Sequence, residues 1–183
     1  MKAEPQPRRF TADEFHRMIA AGIFGEDDRL ELLQGEIIKM TPIGPRHAGC
    51  VTRLTTVLGK IIAEHALLSV QNPVQLDDRT ELYPDIVLLK PRADGYSQSL
   101  PRPQDILLLI EVADATLKLD RSVKVPQYGR VGIAEVWLFD LESKQVYVHT
   151  DPVPSGYRAI RQISAGELQA SQLPVRIRLD AVI

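Results

Sequence analysis

The sequence predicts an α/β domain: a mixed central sheet flanked by helices, with a β-hairpin near each end. Three observations carry this reading. Segments of helical and strand periodicity follow one another in the order helix, hairpin, helix, strands, helix, strands. Ile106-Leu107-Leu108-Leu109-Ile110 is apolar without interruption, as in a central strand covered on both faces. The 183 residues, 44% hydrophobic and 25% charged, suit one domain with one sizeable core.

Residues 1–9 read as a flexible tail and 10–183 as the domain. Thr11-Ala12-Asp13-Glu14 has the form of a capping box, in which hydroxyl and carboxylate each satisfy a free backbone N–H. Phe15, Met18 and Ile19 follow at helical spacing, so a short helix is expected over 12–21, ended by Gly22 and Gly25. Two short apolar runs, 29–33 and 36–40, flank Gln34-Gly35 and predict a hairpin. After a loop at 41–45, Val51, Leu54, Val57, Leu58, Ile61 and Ile62 predict the longest helix, over 46–64. Strands are expected over 67–76, 85–89 and 106–112, with a loop over 90–105 carrying Pro91, Pro101 and Pro103. A helix is expected over 117–131, where Pro126 must kink it or stand in its first turn. Residues 135–141 and 145–150 read as a second hairpin and 157–163 as a further strand. Val175, Ile177 and Leu179 alternate with polar residues in the tail.

Composition excludes several classes. A formal net charge of −2 does not fit a generally basic nucleic-acid coat, so any nucleic-acid surface has to be a local patch or arise in an oligomer. Cys50 is the only cysteine, which rules out an internal disulfide and a cysteine-rich zinc site. No apolar run approaches the roughly 18–20 residues that span a bilayer. Residues 1–9 lack the apolar stretch of a secretory signal. The expected setting is the cytoplasm, with no membrane partner.

Two carboxylates stand in unusual company. Asp85 opens an apolar strand directly after Pro84, and Glu111 closes the most apolar run of the chain. A carboxylate there loses hydration unless something pairs with it. A divalent cation is one such partner, and hard oxygen ligands from neighbouring strands suit Mg2+ or Mn2+. Such a cation can act on a phosphodiester, and a lysine two residues after the Glu would share its strand face. That place is Ala113; Lys124, on the following helix, could fill the space above it. On the residues alone a second reading stands: strand-end carboxylates that face solvent or cap a helix, with Lys124 an exposed helix lysine.

The ordered motifs go further. The chain closely resembles the Uma-two family of restriction-endonuclease-like proteins. The matching stretches include Arg8-Arg9-Phe10-Thr11, Glu26-Asp27-Asp28-Arg29, Glu31 to Ile37, Pro42-Ile43-Gly44 with His47, and Ser69 to Val74. They continue through Pro84-Asp85, Glu111-Val112-Ala113-Asp114, Asp120-Arg121 with Lys124, Pro126 and Tyr128, and Glu135-Val136-Trp137 with Asp140. The resemblance implies a PD-(D/E)XK fold with Asp85 and Glu111 as metal ligands and Lys124 as a migrated catalytic lysine. It also implies that Glu31 completes the site; Glu36, across the turn, is its rival. The implied activity is Mg2+- or Mn2+-dependent hydrolysis of DNA phosphodiester bonds by a homodimer. The alternative is a non-catalytic nucleic-acid-binding or protein-interaction domain on the same fold. His47, near a helix start that favours anions, and Arg46 and Arg121 are the candidate nucleic-acid contacts. Gln71, Tyr128 and Trp137 read as ordinary structural residues.

Overall fold

A computed structural model describes residues 6–25, 27–62 and 64–183. Helix α1 (Ala12–Ala20) starts at the expected capping box, with the Thr11 hydroxyl accepting from Glu14 N and the Glu14 carboxylate from Thr11 N. Strands β1 (Leu30–Leu33) and β2 (Glu36–Lys39) pair antiparallel around Gln34 and Gly35. Both turn residues have positive φ, 51° and 79°, as a tight two-residue hairpin requires. Helix α2 (Pro45–Ile61) begins with proline in its first turn, where the missing N–H costs nothing. Of the helix expected over 46–64, Ala63 lies outside the described residues. Of the expected tail, residues 1–5 lie outside them as well. Arg8 and Arg9 are engaged, Arg8 with Glu14 and Arg9 with Glu36 and the Gln34 carbonyl, so the chain is held before residue 10.

The strand expected over 67–76 is two strands in different sheets: β3 (Leu67–Val70) and β4 (Val74–Asp77). Gln71 at φ 53° and Pro73 break the run between them. Strand β5 (Thr80–Leu82), absent from the sequence reading, joins β4 to the hairpin in a sheet of order β2-β1-β5-β4. Three uniformly buried residues have no alternation to reveal them.

The main sheet continues with β6 (Ile86–Leu89), β7 (Ile106–Ala113), β8 (Glu135–Asp140), β9 (Gln145–Val153) and β10 (Gly156–Ile163), in the order β10-β9-β8-β7-β6-β3. All neighbours are antiparallel except β7 and β8. A parallel pair cannot be joined by a tight turn, so residues 114–134 must cross one face of the sheet. That crossover holds α3 (Leu117–Leu119), a π-helical turn (Asp120–Lys124) and α4 (Val125–Arg130). The expected single helix over 117–131 is thus interrupted. Pro126 cannot donate and its ring collides with the carbonyl four residues back; the wider turn, closed by Val125 N to Asp120 O, relieves the collision.

Strand alternation sends side chains into two cores. On one face Leu108, Ile110, Val112, Trp137 and Phe139 pack against Cys50, Leu54 and Leu58 of α2. Strands β11 (Glu167–Gln169) and β12 (Arg176–Arg178), a final small hairpin, close this side through Leu168 and Ile177. On the other face Leu109, Ala113, Val136 and Leu138 meet Val125 and Tyr128 of the crossover, with Val74 and Leu82 of the smaller sheet. Here α4 lies on β10 so closely that a Cβ on Gly129 would stand 2.1 Å from the Gly156 carbonyl oxygen. Among the described residues no helix is long and apolar enough to cross a membrane.

Candidate active site

Glu111 lies between Leu109 and Ala113 on β7, so alternation points it toward the crossover rather than toward α2. Asp85 ends the approach to β6, the antiparallel neighbour of β7. Its backbone N–H lies 3.3 Å from Glu111 Oε2, and its Oδ2 accepts from Val112 N at 2.9 Å. The two carboxylates are therefore held to each other's strands by backbone donors. Two side chains from other elements also reach Asp85: His47 Nε2 from α2 at 3.0 Å and Gln71 Nε2 at 3.3 Å.

The crossover supplies the counter-charge. Lys124 Nζ donates to Glu31 Oε1 at 2.9 Å and stands 3.7 Å from Glu111 Oε1. The lysine is 3% exposed and occupies the side of the sheet where Ala113 leaves room. Glu31 Oε1 also accepts from Tyr83 N at 3.0 Å, which ties the smaller sheet to the cluster. Of the two candidate glutamates it is Glu31 that joins; Glu36 pairs with Arg9 elsewhere. Asp85, Glu111, Lys124, Glu31 and His47 thus share one cleft of about 820 Å3.

The remaining candidates fall outside it. Arg46 donates to the Leu141 carbonyl at 2.7 Å and pairs with Asp114 at 3.1 Å, beside the rim. Arg121 stacks over the Tyr147 ring, 4.7 Å from its centroid, and does not line the cleft. Being one residue after Asp120 on a helical turn, it is rotated away from the acids. Besides Gln71, two further side chains read as structural or not singled out belong to the cluster. Tyr128 OH donates to Glu111 Oε1 at 2.6 Å, and Asp120, 3% exposed, accepts from the Thr116 hydroxyl. Their signal was spacing: Asp120, Lys124 and Tyr128 recur every four residues, which places them along one helical side.

Burial governs the electrostatics. It pushes Glu111 up to about 8; the Lys124 ammonium opposes the rise, while Asp120 and Asp85 add to it. Asp120 is raised to about 6 by burial, again against the pull of Lys124. Burial alone would lower Lys124, but Glu111, Glu31 and Asp120 reverse that and hold the ammonium above the ordinary lysine value. Tyr128 stays protonated because burial, and then Glu111, penalise its phenolate.

Among the described residues Glu31, Asp85, Glu111 and Asp120 are all buried around a single ammonium, that of Lys124. This excess of carboxylate over cationic charge, in a site open to the cleft, fits a divalent cation with oxygen ligands. Among the described residues no three His, Cys, Asp or Glu side chains form a ready metal cage. Asp85 and Glu111 are the residues that could hold Mg2+ or Mn2+, with water and substrate oxygens completing the shell.

Comparison with known proteins bears on the fold and the family. The model of the Uma2 family, described as "Putative restriction endonuclease", matches residues 12–181. A crystal structure of "a putative nuclease belonging to DUF820 from Anabaena variabilis ATCC 29413" superposes with a TM-score of 0.73 at 15% identity, covering 94% of this chain and 97% of that one. At that identity the likeness speaks for the fold, which is restriction-endonuclease-like. No curated protein matches the chain. With a family model spanning nearly the whole domain, and a nuclease fold beneath it, this chain belongs to the Uma2 family of restriction-endonuclease-like proteins.

Proposed function

We propose that the chain is an endonuclease that hydrolyses DNA phosphodiester bonds with Mg2+ or Mn2+ held by Asp85 and Glu111. The observation that carries this is the placing of Lys124 Nζ 3.7 Å from Glu111 and 2.9 Å from Glu31, inside a carboxylate cluster at a cleft. When bound, the cation supplies Lewis acidity toward the phosphoryl group.

The protein's part is to position and to balance charge. Among the described residues Lys124 is the one ammonium lining the cleft, and its role is to orient the attacking water and steady the charge that develops on the phosphate. Glu31 fixes the lysine head by its 2.9 Å bond, so the ammonium is aimed before substrate arrives. Tyr128 fixes the Glu111 carboxylate through its phenol. His47 and Gln71 hold the Asp85 carboxylate from two further elements. Burial raises Glu111 to about 8, so at this residue a metal ion competes with a proton and binding strengthens as pH rises. For cleavage of both strands of a duplex the proposal includes a homodimer: one such cleft addresses one strand at a time, and two related by symmetry would reach both.

The test is cleavage of plasmid and of single-stranded DNA by purified protein, with and without added Mg2+ or Mn2+. Cleavage is expected only with metal, and Asp85→Asn is expected to lower it by at least about 100-fold while the protein stays folded. Equal cleavage by wild type and variant would assign the activity to a contaminant and reject the proposal. Metal-independent, salt-sensitive DNA binding without cleavage would favour a binding module on this fold.

A further inference from the structure

The cleft has two unlike halves. Its floor is the carboxylate–lysine cluster, whereas its mouth is apolar: Ile19 of α1, Phe24 of the segment after it, and Met40, Pro42 and Ile43 of the loop after β2 line it. Among the described residues the exposed large hydrophobics are Ile19, Ile23, Ile43 and Ile160. Two of these line the mouth, and Ile23 sits between Gly22 and Phe24, which line it too. Such clustering of apolar surface at one opening marks a recognition site. Phe24 is backed by Phe15, ring centroids 6.1 Å apart, so its ring is braced from behind.

Charge at the cleft argues against a duplex as its occupant. Asp28, Glu31, Asp85, Glu111, Asp114 and Asp120 line it, against Arg29, Lys124 and His47. Lys124 is already committed to Glu31. A duplex presents one negative charge about every 1.7 Å of its axis and is bound through many phosphate contacts; this cleft has few cations to give. A single unpaired nucleotide asks for less. It brings one phosphate to the floor and offers a flat apolar base, for which an aromatic platform is the usual receptor. The volume of about 820 Å3 is also that of a pocket for a small ligand rather than of a duplex channel.

Building on the nuclease reading above, we infer that the cleft takes an unpaired stretch of DNA. Its scissile phosphate lies at Asp85 and Glu111, and the neighbouring base is unstacked against Phe24 with Ile19 and Ile43 beside it. The substrate class is then single-stranded, frayed or flipped-out DNA.

Fluorescence anisotropy decides this with three labelled probes of equal length in Ca2+ buffer: oligothymidine, the corresponding duplex, and a strand with abasic sites. Oligothymidine is expected to bind about 10-fold more tightly than the other two, the worth of roughly one base stacked on an aromatic ring. Phe24→Ala is expected to erase that advantage. The double variant Ile19→Ser with Ile43→Ser, at half-exposed positions, should reduce it without a folding defect. Equal or tighter binding of the duplex, or of the abasic strand, overturns the inference but leaves the nuclease reading to the Asp85→Asn test. Absence of binding to all three probes overturns both.

Discussion

Replacing Lys124 with methionine isolates the electrostatic logic of the cluster. Methionine keeps most of the volume and removes the ammonium that Glu31 and Glu111 share at 2.9 and 3.7 Å. Breaking a buried ion pair from one side costs about 3–5 kcal/mol, because the remaining charge has no partner. Here part of that cost can be relieved by protonation. Glu111 already ionises at about 8 in the folded chain against 4.5 when unfolded. The folded state therefore holds a proton that the unfolded chain releases. The stability linked to it is complete below about pH 4.5 and is lost as pH rises through 8. The Lys124 ammonium also opposes the rise of Asp120 to about 6, so without it Asp120 keeps its proton to higher pH and the cluster retains about one proton more than wild type above pH 6. The stability gap between variant and wild type should then widen by about 1.4 kcal/mol per pH unit. Over two units above pH 6 that is about 3 kcal/mol, in keeping with the ion-pair estimate. Urea unfolding of both proteins in EDTA at pH 6, 7 and 8 measures the gap. Parallel stability curves would refute the idea that the ammonium balances these acids.

Two further substitutions follow from the same geometry. Glu111→Gln keeps an acceptor for Tyr128 but removes a charge that burial disfavours, so it should be at least as stable as wild type at pH 9 in EDTA while losing metal-dependent cleavage; a lower melting temperature at that pH would contradict the burial argument. Gly129→Ala forces a Cβ to 2.1 Å from the Gly156 carbonyl oxygen and should cost about 3 kcal/mol or more by separating α4 from β10, read in a urea melt; a change below about 0.5 kcal/mol would show that the contact yields.

Local chemistry made much of the fold legible. The capping box at Thr11, the Gln34-Gly35 turn and the apolar run of β7 each announce an element through a short-range rule, and each element is present. Two places resisted. Strand β5 is buried at every position, so it carries no period. The helix after β7 contains a wide turn at Asp120–Lys124 that shifts the register of all that follows. That turn also explains the mixed fate of the candidate residues. Asp120 and Lys124 face the acids, while Arg121 turns toward Tyr147. Sequence could suggest that Lys124 replaces the lysine missing at Ala113. Only the parallel pairing of β7 with β8, which routes the crossover over the acidic face, sets the ammonium beside Glu111.

The Glu31–Lys124 bond joins residues 93 positions apart, and Asp85 meets Glu111 across 26. Contacts so remote along the chain form late, after the entropy of closing large loops has been met. A nascent or half-folded polypeptide thus holds its acids without the ammonium that aims them. The carboxylate–lysine cluster comes into being together with the finished tertiary structure.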